Sequence, residues 1–361
     1  MAVQERSIPY SKNSIKAINL LKDEIIEIAD RKSFSSGSSI KSVSILKDEI
    51  IQKIKNKGGF VNTHSHIDRA YTITPETLHL ASASLKQKWT LVDSMKRNSS
   101  VAQIYDRMAY AIENMIEQGV QAVGSFIDVD EVMRDKSINA AHIVRENFKN
   151  DIKIKFINQT LKGVIDPQAR EWFEIGAEFV DIIGGLPARD KGQESEHLDI
   201  LMETAKRMGK PVHVHVDQFN TAKEKETELL ADKTIEHGME GRVTAIHSIS
   251  VGAHPMAYRQ ELYKKLVKAN LMFITCPTAW IDSRRSEELA PIHNSIVPVE
   301  ELVPEGIVVG IGTDNIADIL KPFTDGDMWT ELRFLLESCH FYDIDALVNI
   351  STVNGLKILE C

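Results

Sequence analysis

The apolar residues change their period once along the chain. In Ser14 to Ala29 and Lys41 to Ile54 they recur at helical spacing, on either side of the polar stretch Ser33-Phe-Ser-Ser-Gly-Ser-Ser39. That pattern predicts two helices joined by a flexible loop, an N-terminal helical extension over residues 1–57. From Gly58 onward come short runs rich in Val and Ile, each followed by a longer helical stretch. Such alternation predicts repeated βα units and a parallel sheet.

Eight such runs follow: Phe60 to His66, Val120 to Val129, Ile152 to Gln159, Phe179 to Ile183, Pro211 to Asp217, Arg242 to His247, Leu271 to Cys276 and Gly306 to Asp314. Eight parallel strands close a barrel, so residues 58–361 are expected to form an α/β domain of the (β/α)8 TIM type. An open doubly wound sheet is the competing architecture, but it gives no reason for polar residues to gather at so many strand ends. The long interval between the first and second runs marks Leu78 to Asn98 as an insertion over the barrel mouth. The apolar residues from Met328 to Leu336 have helical spacing and read as barrel packing.

The chemistry sits at the strand ends. The first run closes Thr63-His64-Ser-His66-Ile-Asp68-Arg69, and side chains two apart on a strand share a face, so His64 and His66 can chelate one ion. A lone His-x-His is a weak signal. The fifth run, however, reads His213-Val-His215-Val-Asp217-Gln218, the sixth ends at His247 and the eighth at Asp314. Imidazoles and a carboxylate therefore converge on the C-terminal rim, where the active sites of such barrels lie. Neutral His and ionised Asp suit zinc first and iron(II) second, with a position left open for water. Independent core histidines on several strands would require a coincidence.

Composition narrows the partners. The 361 residues are 43% hydrophobic and 26% charged, with a net charge of −9. An acidic balance argues against nucleic acid, whose phosphates need clustered Lys and Arg. No apolar run reaches the roughly eighteen residues of a membrane span. The N-terminus lacks a basic start followed by an apolar stretch, so a cytoplasmic protein, acting as a homo-oligomer on a small molecule, is expected. Cys276, Cys339 and Cys361 have no C-x-x-C spacing and read as reduced thiols.

The order His-x-His, His, His, Asp on strands one, five, six and eight resembles the amidohydrolase superfamily, and within it the cytosine deaminase branch that includes the N-isopropylammelide isopropylaminohydrolases. The likeness spans about Gly58 to Leu359. It rests on His64-Ser-His66-Ile-Asp68-Arg69, Asn158-Gln159, His213-Val-His215, Arg242-Val-Thr-Ala-Ile-His247-Ser and Gly312-Thr-Asp314. The resemblance implies that His64, His66 and His215 bind the metal. By the same likeness, Asp314 touches it and takes a proton from the attacking water. His247 matches a histidine that bonds this water or joins the ligands, and Gln159 a glutamine that holds substrate.

Three departures qualify the likeness. Deaminases of the branch carry a proton-relaying glutamate three residues after the strand-five histidine, where this chain has Gln218, and a primary amide cannot accept and return a proton near neutral pH. The isopropylaminohydrolases manage without it. Arg69 stands where their pattern has a lysine; it either meets the substrate or pairs with a rim carboxylate. Many relatives also flank the barrel with a small β-sandwich, which the helical N-terminal pattern does not supply.

Other candidates have bland alternatives. His213 is an acid, base or substrate contact, or else a core histidine. Asp190, in Gly184-Gly-Leu-Pro-Ala-Arg189-Asp190, reaches a ligand or serves a plain loop. Trp280 stacks on a planar ring or simply walls the pocket, and Asp68 is expected to be structural. The expected function is metal-dependent hydrolysis of a C–N bond in a small nitrogen heterocycle by deamination, N-dealkylation or cyclic amide opening. Asp314, His247 and Gln218 would carry the chemistry. The alternative is a metal-binding, catalytically inactive homologue acting as a small-molecule binding or regulatory protein.

Overall fold

The computed structural model describes residues 38–281 and 294–361. The chain divides into two compact units, Met1–Gln52 and Lys53–Cys361. The helix expected over 14–29 lies outside the described residues. The one expected over 41–54 falls within a helix, Ser38–Asn56, that begins a turn earlier.

In the second unit β1 (Phe60–Ser65), β2 (Val120–Asp128) and β3 (Lys153–Gln159) form one parallel sheet. A second is formed by β4 (Ile183–Gly185), β5 (Val212–Val216), β6 (Val243–His247), β7 (Met272–Thr275) and β8 (Val309–Ile311), in chain order. Parallel bridges Ile157 to Ile182 and Ser65 to Asp314 join the edges, so the strands close into a (β/α)8 TIM barrel. Among the described residues there is no further sheet. No described helix is long and apolar enough to cross a membrane.

The barrel is filled by Val61, Ala122, Phe126, Ile157, Ile246 and Ile274, all fully buried, with Leu359 from the C-terminal helix packed against them. Each such aliphatic or aromatic side chain contributes about 1.5–3 kcal/mol on leaving water. This core lies beneath the polar rim, so the rim residues are held by a framework they do not build.

Two places show how close approach dictates sequence. At the closing seam the amides of Thr313 and Asp314 both donate to His64 O at 3.0 Å. A Cβ on Gly312 would stand 2.7 Å from the His64 backbone, so only glycine lets β8 meet β1 there. The fourth strand differs from expectation. Asp166 accepts from the amides of Gln168 and Ala169 and Pro167 opens the turn, so helix Pro167–Phe179 claims the start of the apolar run, and the strand is only Ile183–Gly185. At Gly184 a Cβ would lie 1.9 Å from Asn158 O.

The insertion after β1 forms a short 3-10 turn, Leu78–Ser82, and a helix, Leu85–Asn98, opened by a reciprocal capping box between Ser84 and Gln87. Trp89 and Val92 from this helix pack on Leu161, Leu186 and Leu320, which follow β3, β4 and β8. Lys88 donates to Leu320 O at 3.2 Å. The insertion therefore lies over the C-terminal mouth. Helix Met328–Ser338 buries Met328, Leu332 and Leu335, as its spacing predicts, and with them Glu331.

Candidate active site

His64 and His66 on β1 point to one face, as side chains two apart must. Each Nε2 lies 3.2 Å from Asp314 Oδ1. From the end of β6, His247 Nε2 stands 3.8 Å from Asp314 Oδ2. From β5, the His215 ring is 4.9 Å from that of His64 and 5.3 Å from that of His247. Donor atoms of His64, His66 and Asp314 lie within 4.8 Å of one another, and so do those of His64, His215 and His247. All five side chains are buried.

His247 (φ 70°) and Asp314 (φ 58°) adopt the left-handed backbone that non-glycine residues avoid. Surrounding bonds impose it: the Asp314 amide is tied to His64 O, and Ser248 N donates to Val216 O. Backbone strain of this kind persists where the structure over-determines it, as at functional sites.

Burial dominates the protonation states. It drives His66 well below its ordinary range, helped by the Arg69 charge, and His215 likewise, helped by the neighbouring imidazoles. His247 is pushed down to about 3. Burial alone would raise the Asp314 carboxyl, but His247 and the hydrogen bonds from His64 and His66 outweigh it and hold it well below the carboxylate range. Imidazole nitrogens and a carboxylate thus gather around one point, where an ion would take the place of the ring protons now shared with Asp314. A divalent cation fits such a donor set, because neutral imidazole and ionised carboxylate are the ligand forms of zinc and iron(II). His215 Nδ1 also faces Gly185 O at 3.4 Å, which orients its ring.

His66, His215, His247 and Asp314 floor a cavity of about 540 Å³ that Gln159, Gln218, Trp280 and Arg69 also line, with His64 buried behind them. Gln159 ends β3, and its Oε1 has no partner among the described residues. Trp280 lies 5.0 Å from His247, ring centre to ring centre. Gln218 is carried by a loop clamped through buried carboxylates: Asp217 accepts from the amides of Glu226 and Thr227, Glu226 from that of Asp217, and Glu224 from that of Phe219. Burial pushes Glu224 up to about 7 and Glu226 up to about 8.

Arg69 reaches the cavity, yet its guanidinium is paired with Asp128 at 3.2 Å and Asp318 at 3.3 Å. Behind it Lys96 bridges Asp128 and Asp130. The substrate contact expected of Arg69 thus competes with two carboxylates that already occupy it. Asp68 accepts from the Asp128 amide at 2.7 Å and from Ser137 Oγ at 3.2 Å, and burial with the Asp128 charge lifts it to about 6. Its place is structural.

Two expected substrate contacts are not brought to the cavity. His213 lies a layer below His215, fully buried, with Nε2 3.2 Å from Ile358 O, and burial lowers it to about 3. Asp190 spends its carboxylate on the Val164 amide and on His197 Nδ1 at 2.7 Å. Sequence reasoning missed Lys321, on the loop after β8, which lines the cavity with Nζ 4.8 Å above the Trp280 ring. Its signal was positional: the loop that follows Asp314 must border the same mouth.

The sequence pattern of the amidohydrolase family matches residues 58–361. An uncharacterized protein of Haemophilus influenzae is 57% identical over 257 residues, 70% of this chain and 93% of that one. The N-isopropylammelide isopropyl amidohydrolase of Pseudomonas sp. strain ADP is 26% identical over 276 residues, 75% of this chain and 65% of that enzyme. Among solved structures, 5-methylcytosine deaminase from Klebsiella pneumoniae, liganded with phosphonocytosine, superposes with a TM-score of 0.77 at 26% identity, over 83% of this chain and 74% of that one.

Proposed function

The chain belongs to the amidohydrolase family, and from that premise we propose that it hydrolyses a carbon–nitrogen bond in a small planar nitrogen heterocycle, with one divalent ion held by His64, His66, His215 and Asp314. The observation that carries this reading is the convergence of the His64 and His66 Nε2 atoms on Asp314 Oδ1, both at 3.2 Å, beside His215 and His247 on the floor of one cavity. The names of the 5-methylcytosine deaminase and the N-isopropylammelide isopropyl amidohydrolase support the choice of bond and of substrate class.

A bound ion would supply a water whose pKa falls from about 15.7 toward about 7, zinc being the first candidate and iron(II) the second. The residues do the rest. Asp314, ionised at neutral pH, accepts the proton at Oδ2. His247 stays neutral, and its Nε2, 3.8 Å from that oxygen, can bond the same attacking atom and the charge that develops as it adds. Gln159 offers an amide to the ring, Trp280 walls it, and the helix Leu85–Asn98 shields the mouth from solvent. Gln218 can donate a hydrogen bond but cannot relay a proton, so the leaving nitrogen receives its proton from Asp314 or from solvent.

The test is metal content together with hydrolysis of a panel of pyrimidines, triazines and cyclic amides by the purified chain. Stoichiometric metal with release of ammonia or an amine, or with ring opening, is expected. Metal with no turnover on any member would favour a small-molecule binding protein instead.

A further inference from the structure

We propose that Lys321 is the charge partner of the substrate, and that the cavity takes a planar heterocycle carrying negative charge near neutral pH. The proposal rests on the hydrolase reading above and narrows its substrate class.

The polar groups that line the cavity are out of balance. Among the described residues Asp314 is the one carboxylate that lines it, and it is turned onto the imidazoles. Three cations stand opposite. Arg69 is paired with Asp128 and Asp318, and Lys88 donates to Leu320 O. Lys321 has neither an ion pair nor a hydrogen bond at Nζ among the described residues; its contact is the Trp280 ring face, 4.8 Å away. Burial disfavours its charge, and Asp314, Asp318 and Glu331 offset this only from beyond contact distance, so a ligand's negative charge set against Nζ in a site of low dielectric compensates it more strongly.

Two uncharged groups lean the same way, while Gln159 Oε1 offers an acceptor to a ring N–H. Trp280 Nε1 and Gln218 Nε2 are buried N–H donors on the cavity wall with no acceptor among the described residues. Buried polar groups are rarely left without partners, and a site whose donors wait for a ligand selects one rich in acceptors. Position 218 matters doubly, because an amide there removes the negative charge that a relaying carboxylate would set against an anion. An anionic oxygen set against Lys321, on a ring whose other acceptors meet these donors, would satisfy them. A ring imide ionised to its enolate, or a ring carboxylate, has that chemistry.

The experiment uses full-length protein loaded with zinc, titrated calorimetrically near neutral pH with barbiturate, a planar anion, and with uracil, its neutral relative. Wild type should bind barbiturate about tenfold or more tightly than uracil; Lys321→Met should lose that margin while keeping uracil affinity within about twofold, and Lys321→Arg should retain most of it. A merely structural lysine would instead weaken both ligands alike. Equal losses, an unchanged preference in Lys321→Met, or no preference in zinc-loaded wild type would overturn the proposal. Should Lys321→Met not fold, Lys321→Gln is judged by the same margin. Metal content measured on the same samples separates the claims. A chain that takes up neither zinc nor iron(II) contradicts the hydrolase reading, whereas a metal-loaded chain without a Lys321-dependent margin contradicts only this one.

Discussion

His64 Nε2 lies 3.2 Å from Asp314 Oδ1 across the seam where β1 meets β8, joining residues 250 apart in sequence. The same seam is drawn tight by the amides of Thr313 and Asp314 on His64 O, and by Gly312, which has no room for a side chain. Barrel closure and ligand geometry are thus one feature. The apolar core that stabilises the barrel lies beneath it, so the site can be altered without dismantling the fold.

Replacing His64 and His66 together with alanine should therefore abolish metal binding and leave the barrel folded. Elemental analysis and far-ultraviolet circular dichroism check the two halves. Stoichiometric metal in the folded double variant would remove these residues from the ligand set.

Asp314→Asn keeps the shape and loses the charge. Because the carboxyl is held well below its ordinary range, it is the ionised base at every pH where the enzyme would work. The variant should lose turnover by about 10² or more, with substrate binding largely kept. Near-normal turnover would show that another group takes the proton.

Gln218→Glu exchanges a donor that has no partner among the described residues for a negative charge on the same wall as Asp314. Native turnover should fall by about tenfold, since the added charge repels an anion and perturbs the metal-bound site. Release of ammonia from cytosine, appearing in the variant and absent in wild type, would show a deaminase pocket lacking only its relay.

The history of the fold in the sequence is uneven. The β/α alternation located the strands to within a few residues and the rim ligands followed from their ends, because period and spacing are local properties. The fourth strand starts later than its apolar run, since Asp166 and Pro167 begin a helix that takes in Phe179. Asp190 and His213 looked chemical because their types are, yet His197, the Val164 amide and Ile358 O absorb them through contacts no spacing reveals. Arg69 stands at a motif position, but its partners Asp128 and Asp318 come from the end of β2 and the loop after β8. Lys321 was illegible for the converse reason: an ordinary loop lysine becomes notable only when Trp280 is seen beneath it.

Stability should depend on pH through Glu331, which accepts from the amide and hydroxyl of Thr278 in the turn after β7 and which burial raises to about 8. A raised carboxyl favours the folded state while protonated. Its contribution is complete below its ordinary pKa of about 4.5 and is lost as pH rises through about 8, by roughly 1.4 kcal/mol per pH unit within that window. Glu331→Gln can make both bonds without a charge. Its melting temperature should gain on wild type as pH rises across the window and level off above it. A constant difference would place the titration elsewhere.

The dependence of turnover on metal tests the central claim most directly. Hydrolysis of the best panel substrate is measured on the purified chain as isolated, after exhaustive chelation, and after adding back zinc or iron(II). Loss of product release on chelation, with recovery that saturates at one ion per chain, is the predicted result. Hydrolysis indifferent to chelation, or a chain that takes up a stoichiometric ion and hydrolyses nothing on the panel, would contradict it.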